Sequence, residues 1–308
     1  MATVNSGRDE LGTAGVLTRF VGRTEVSCLL DASGPFELAP LAQAFPDADT
    51  EDWAAARDVD PDAFGPDGDW WLAFRCFLLR TPGGRVVLVD TGVGPANGPA
   101  SSWAPVPGRL PEMLRRVGVA AADVDLVVQT HLHADHVGWA VRPDGVPMFP
   151  NARYAVQAAE LAALRQADSP LLSTVVRPLR ESGQLWQLDG QVELVGGHGH
   201  PGARLTALPT PGHTPGHQSV LAQHGVDRVV FTGDVLVHAV QLVNPDLAYR
   251  FEIDSEQARG TRRRLLAEVA APTTVLGTAH LRRPFVSVPS EVPSEVTSTV
   301  IGRGDRPR

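Results

Sequence analysis

One string constrains this chain more than any other feature: Thr130-His131-Leu132-His133-Ala134-Asp135-His136, placed directly after an apolar run. In extended backbone, side chains two apart project to the same face, so His131 and His133 can reach one ion together. If the chain then turns into a helix, Asp135 and His136 swing to a different direction and reach a second ion. A single segment thus offers half-shells for two metals. Nitrogen and carboxylate donors without a thiolate suit zinc, and iron, manganese and cobalt are compatible with the same set. The chain has only 10 histidines in 308 residues, so three of them beside an aspartate form a dense cluster. The bland alternative is a solvated polar loop.

Four apolar runs end alike, each followed by a metal-capable side chain. They are Val124 to Thr130 before His131, Leu205 to Thr210 before His213, Val229 to Gly233 before Asp234, and Thr274 to Ala279 before His280. If these are strands of neighbouring sheets, their C-terminal ends deliver the side chains to one rim, where an α/β scaffold builds its sites. Taken singly, each has an ordinary reading. His213 fits a turn histidine bonded to backbone, Asp234 a helix cap, and His280 a packed core residue.

Composition narrows what such a site serves. Hydrophobic residues make up 43% and charged residues 20%, as in a soluble globular protein. The net charge of −8 argues against a nucleic-acid partner, which clustered cations would have to hold, and favours a small-molecule substrate. All 27 basic residues are arginine, which removes Schiff-base chemistry and a P-loop lysine. Cys28 and Cys76 each sit in an apolar stretch and are expected to be buried thiols. The N-terminus has no apolar signal region and no run approaches a membrane span, so no membrane partner and a cytoplasmic location are expected.

Residues 1–14 and 289–308 have the polar composition of tails, leaving 15–288 as a single domain. Strand-like runs alternate with helical patterns, which points to an α/β or α+β layer architecture. Phe74 to Leu79 and Arg85 to Val89, joined by Thr81-Pro82-Gly83-Gly84, predict a β-hairpin ending in Asp90-Thr91-Gly92. Helical spacing covers Pro111 to Val117, Ala155 to Ala167 with Gln157, Glu160 and Arg165 on a wet face, and Ser255 to Val269 with Ser255 as cap.

The successive segments Thr130 to His136, Thr210 to His217, Thr232 to Asp234 and Ala279-His280, with Asp90-Thr91-Gly92 ahead of them, resemble the motifs of the metallo-β-lactamase superfamily. The match runs in order from about residue 70 to 285. The resemblance implies an αββα sandwich of two mixed sheets with helices on the outer faces, and two divalent metal ions at one edge. It implies that His131, His133 and His213 hold one ion, that Asp135, His136 and His280 hold the other, and that Asp234 bridges them. Asp90 would accept from a ligand imidazole and fix its tautomer. His217 is not among the family's ligands and is expected to brace the Thr210 to Ser219 loop.

Two such ions let a shared water lose its proton near neutral pH and attack without a serine or cysteine nucleophile. Asp135, with a second oxygen to spare, can orient that water or pass a proton to the leaving group. The Thr210 to Ser219 string is similar to that of the N-acyl homoserine lactonases, and Gly233 to Gln241 with Ala279 to Leu281 to the methyl parathion hydrolase branch. Both cleave esters or ester-like bonds, so a carboxylic ester or lactone is the expected substrate. Phosphotriester or thioester cleavage is the runner-up, and a non-hydrolytic metal-binding protein of the same fold is the alternative class. Trp139, Phe149, His238, Gln241 and Phe251 follow the metal motifs closely enough to reach a cleft, with core packing as their ordinary reading. The Asp47 to Asp69 stretch is open to three roles: a lid, the arm of a homodimer, or a solvated acidic loop.

Overall fold

The computed structural model describes residues 16–65, 68–196 and 202–288. The expected tails, 1–14 and 289–308, lie outside the described residues. Among the described residues, thirteen strands form two sheets. The first carries β1 (Val16–Val21), β2 (Thr24–Pro35), β3 (Trp71–Arg80), β4 (Val86–Val89), β5 (Leu126–Val128), β6 (Arg153–Gln157) and β7 (Leu185–Leu188) in sequence order. The second carries β8 (Val192–Val195), β9 (Ala203–Pro209), β10 (Gln218–His224), β11 (Asp227–Phe231), β12 (Thr274–Gly277) and β13 (Phe285–Ser287). Both are mixed: β4 to β7 run parallel, as do β11 and β12, and the other pairings are antiparallel. The helices are α1 (Leu41–Ala44), α2 (Thr50–Val59), α3 (Leu110–Arg116), α4 (Ala134–Val137), α5 (Ala158–Gln166), α6 (Arg177–Glu181), α7 (Val240–Val243) and α8 (Ser255–Val269). None is long and apolar enough to cross a membrane.

Strand periodicity explains the layering. On β3, Phe77 and Leu79 face the second sheet and meet Phe231, Val220 and Phe285, while Cys76 and Leu78 face outward to Met113, Leu114 and Leu161 on α3 and α5. A strand covered on both faces reads as one apolar run, which is why Leu72 to Leu79 shows little alternation. On β11, Val229 and Phe231 point inward and Val230 outward, toward Leu265, Leu266 and Val269 of α8. The result is helix, sheet, sheet, helix, as the family resemblance implied. Cys28 and Cys76 are buried free thiols in adjacent strands.

Three local expectations need correction. The segment Ala155 to Ala167 is not one helix: β6 continues to Gln157 because Ala155 pairs with Val128 of β5, and the helix starts at Ala158. Neither Gln157 nor Glu160 is on a wet face: both are buried, Gln157 donating to Gln218 of β10 and to Gly190 O, and Glu160 accepting from Leu132 N. Asp254 rather than Ser255 caps α8, its Oδ1 accepting from Gln257 N at 2.9 Å. The Asp47 to Asp69 stretch is also not a solvated loop. Asp49 and Asp52 close a capping box on α2, Trp53 packs on Phe45 and His238, and buried Asp60 accepts from Arg282 N and Arg283 N.

Asp31 on β2 ties the first sheet to the loops above it. Its Oδ2 accepts from Val93 N at 2.7 Å, and its Oδ1 from Leu110 N at 2.6 Å and Trp139 Nε1 at 3.1 Å. It thereby satisfies an N–H at the start of α3 that no helical carbonyl reaches. Burial pushes the Asp31 carboxyl up to about 6, against the pull of the donors Leu110, Val93, Trp139 and Arg109. A raised carboxyl favours the fold while protonated in it, and that contribution is lost as pH climbs from the unfolded-state value through about 6. Asp31→Asn removes the titration. Urea unfolding should show the wild-type advantage over the variant shrinking by about 2 kcal/mol between pH 4 and pH 7, and a gap that stays flat or widens would contradict the assignment.

Candidate metal centre

The rim where β5, β9, β11 and β12 end gathers all seven donors named from the sequence. Among the described residues they form two groups able to hold metal ions: His131, His133, His213 and Asp234, and Asp135, His136 and His280. Within each group the donor atoms lie within 4.8 Å of one another. The backbone does what the string predicts. His133 is extended, α4 begins at Ala134, and Asp135 and His136 turn away on its first residues.

Asp90, at the end of β4, organises the first loop. Its backbone sits in the left-handed region at φ 59°, unusual for a residue with a side chain. Its Oδ1 accepts from Thr130 N at 2.7 Å, while Oδ2 accepts from Thr130 Oγ1 at 2.8 Å and His136 Nδ1 at 2.9 Å. Thr130 Oγ1, having donated to Asp90, accepts from His131 Nδ1 at 3.1 Å. His280 Nδ1 donates to Ala73 O at 3.0 Å. Each of these three imidazoles is therefore left with its Nε2 lone pair aimed into the site.

The second loop is latched onto the first. Glu160 of α5 accepts from Leu132 N at 2.9 Å through Oε1 and from Gly216 N at 3.0 Å through Oε2. His217 bonds through Nδ1 to Thr210 and through Nε2 accepts from Asp234 N at 2.9 Å, so it braces the loop and also fixes Asp234. Burial lowers this imidazole to about 4, which keeps it neutral in that role. Gly233 must be glycine here, because its φ is 51° and a Cβ would fall 2.6 Å from His217 Nε2.

Asp234 divides its oxygens between the groups. Oδ2 lies 3.2 Å from His213 Nε2 and 3.8 Å from His131 Nε2, and Oδ1 lies 3.1 Å from His280 Nε2 and 3.2 Å from His136 Nε2. Oδ1 is buried yet receives no properly aligned hydrogen bond. Nitrogens approach equally closely: His131 Nε2 is 2.9 Å from His133 Nδ1, and His136 Nε2 is 3.1 Å from His280 Nε2. Lone pairs facing at such distances repel unless a cation or a proton sits among them, so the donor set fits metal ions. Burial holds His131 and His213 well below the usual imidazole range. For His136 and His280, burial acts downward too, but Asp234 and Asp135 outweigh it and both are raised.

Beside these donors is a cleft of about 350 Å³, walled by Phe36, Phe74, Trp103, Tyr249 and Phe251 and reached by Asp135 and Asp234. Of the wall residues expected from sequence, only Phe251 is there. Trp139 donates to Asp31, Phe149 packs on Tyr154 in the core, and Gln241 accepts from Val237 N. His238 is enclosed by Phe45, Trp53, Phe64 and Trp70, all with ring centroids 5.2–5.7 Å away. Proximity in sequence to a ligand misled because each loop turns back into the core within four residues. Phe36, Trp103 and Tyr249 belong to segments without a motif. Phe74 carried the one usable signal, its place in an apolar run, β3, that starts beside the site. Tyr249 stacks on His213 at 6.2 Å and 10°. Its loop is pinned by the buried Arg262, which pairs with Glu252 and donates to Val235 O, Pro245 O and Leu247 O.

With this geometry in view, the similarities to known proteins become informative. The Metallo-beta-lactamase superfamily pattern matches residues 75–280, and the chain belongs to that superfamily. An N-acyl homoserine lactonase from Bacillus sp is 34% identical over 165 residues, covering 49% of this chain and 59% of its own length. The chain thus spans about six tenths of the curated relatives it matches. Among solved structures, the hydrolase AbOPH of the beta lactamase superfamily superimposes with a TM-score of 0.70 at 25% identity, covering 88% of this chain and 91% of that one. AidC, described as a dizinc quorum-quenching lactonase, shares the fold at TM-score 0.68 and 21% identity, covering 89% and 95%.

Glu160 offers a test of how the two loops are held. Glu160→Gln turns an amide N–H toward Leu132 N or Gly216 N, which should cost about 1–3 kcal/mol of stability. Loosening the loops should also weaken metal affinity by about 10–100-fold, measured by competition with a chelator. Unchanged affinity would show that the loops do not depend on this carboxylate.

Proposed function

We propose that the chain is a binuclear metal-dependent hydrolase of small carboxylic esters or lactones, with residues 15–288 acting as one unit. The observation that carries this reading is Asp234, whose two carboxylate oxygens each face a different group of imidazole donors. His131, His133 and His213 would hold one ion and Asp135, His136 and His280 the other, with Asp234 between them. When bound, two divalent ions, zinc being best matched to nitrogen and carboxylate donors, supply an acidified water and polarise the scissile carbonyl.

The chain's own residues do the rest. Asp90 and Ala73 O keep the His136 and His280 tautomers productive. Asp135 lines the cleft and takes the proton of the attacking water. The water oxygen bonds to the acyl carbon, the acyl–oxygen bond breaks, and Asp135 returns that proton to the departing alkoxide. Tyr249 also lines the cleft, and burial together with the charges of Asp234 and Asp135 holds its phenol well above the usual range, so it stays a protonated donor. The aromatic wall seats an apolar group and excludes water. The likeness to N-acyl homoserine lactonases favours the lactone branch. A cleft that remains open beside the donors favours turnover over metal storage.

Elemental analysis should find about two transition-metal ions per chain, alongside hydrolysis of one class in a panel of lactones, aryl esters, thioesters and phosphotriesters. Asp234→Ala should lower kcat/KM by at least about a hundredfold and reduce metal content. A folded protein that takes up no metal after reconstitution would sink this reading.

A further inference from the structure

The Asp47 to Asp69 stretch places a carboxylate where solvent does not reach. Asp60, directly after α2, is 0% exposed, and Arg75 on β3 is 2% exposed. Neither belongs to the seven donors and neither lines the cleft. Both instead grip the turn that follows β12.

Two consecutive peptide groups of that turn lie between the opposite charges. The first joins Leu281 to Arg282: its carbonyl accepts from Arg75 Nη1, and its N–H donates to Asp60 Oδ2 at 2.7 Å. The second joins Arg282 to Arg283: its carbonyl accepts from Arg75 Nη2 at 2.6 Å, and its N–H donates to Asp60 Oδ1 at 3.1 Å. A trans peptide points its C=O and N–H in opposite directions, so both peptide dipoles are aligned with the field of the two charges. Every one of these bonds has an ionised partner, which makes it roughly twice as strong as a neutral one. Burial pushes the Arg75 guanidinium down to about 10, which leaves it charged at neutral pH.

The gripped turn carries one metal donor. His280 precedes Leu281, and Ala73, on the same face of β3 as Arg75, holds it twice: Ala73 N donates to His280 O and His280 Nδ1 donates to Ala73 O, both at 3.0 Å. Other donors are held by other groups. Asp90 holds His136, Thr130 holds His131, Glu160 spans both histidine loops, and His217 fixes Asp234. None of those contacts involves Asp60 or Arg75.

We infer that Asp60 and Arg75 are positioning residues for His280, and that this clamp sets the zinc affinity of the Asp135, His136 and His280 group and not that of the other group. The stretch around α2 thereby supplies the anion that holds a ligand-bearing turn. This rests on the metal-centre reading of the site.

Zinc titration of the metal-free protein against a competing chelator tests the clamp, with Arg75→Met and Asp60→Asn as variants. One of the two binding steps should weaken by about 10–100-fold, as when a group that orients a ligand is removed, while the other stays within about twofold. His280→Ala identifies the affected step, and adding Arg75→Met to it should change the remaining step by less than about twofold. Tyr154→Phe is the control for lost stability alone, since it removes a buried hydroxyl that donates to Ala140 O and accepts from Phe149 N. It should keep both steps. Equal weakening of both steps, or wild-type binding in Arg75→Met, would overturn the clamp, and if Arg75→Met does not fold, Asp60→Asn decides on the same terms. Hydrogen exchange on the metal-free proteins separates this from the metal-centre reading. If wild type takes up no zinc, that reading fails, and the positioning of the His280 turn still stands on exchange of residues 279–284 at least about tenfold faster in the variants, with residues 130–137 unchanged. Exchange that rises equally in both segments, or in neither, would overturn it.

Discussion

The structure is organised around the burial of charge at one rim of two packed sheets. Asp90, Asp135 and Asp234 are buried beside five imidazoles, and a carboxylate taken out of water has to be met by cations or donors. Asp90 is met within the protein, by Thr130 N, Thr130 Oγ1 and His136 Nδ1. Asp234 is met by imidazoles alone, and its Oδ1 accepts no aligned hydrogen bond from them. The difference separates a carboxylate that positions its neighbours from one whose oxygen faces the Nε2 atoms of His136 and His280.

The scaffold makes that arrangement rigid by tying loops to each other as well as to the sheets. Glu160 reaches from α5 to both histidine loops, and His217 links the second of them to Asp234. Neither needs to touch a substrate. On the opposite side, Arg262 and Glu252 form a buried pair whose remaining donors take three carbonyls of the 235–247 segment. That segment carries Val237 into the cleft, and Tyr249 follows directly after it. A buried ion pair adds little net stability against an apolar replacement, but it selects one loop conformation. The aromatic box around His238 works alongside it: Trp53 and Phe64 of the N-terminal region lock onto the loop that begins at Asp234.

Selectivity then falls to surfaces that carry no chemistry. On the proposed reading, the donors define which bond is broken and the aromatic cleft beside them defines what flanks it. The cleft walls come from the 36–38, 72–74, 103 and 237–251 regions, which lie far apart in the chain. Superfamily membership therefore predicts the centre better than the substrate.

The sequence by itself determined the centre and the order of the layers. His131, His133, Asp135 and His136 are local to one strand end and one helical turn, so elementary backbone geometry assigns their directions. The strand-ending positions of His213, Asp234 and His280 were legible because apolar runs with turn residues after them are local signals too. Tertiary structure decided what local signals do not encode. Whether Ala155 to Gln157 is strand or helix depended on pairing with β5, and Glu160 was buried because two loops elsewhere offered it N–H donors. Asp31 could not be singled out, since its partners Val93, Leu110 and Trp139 are 62 to 108 residues away. The cleft walls were missed for the same reason: an aromatic side chain packs in a core or faces a pocket according to neighbours that only the folded chain brings to it.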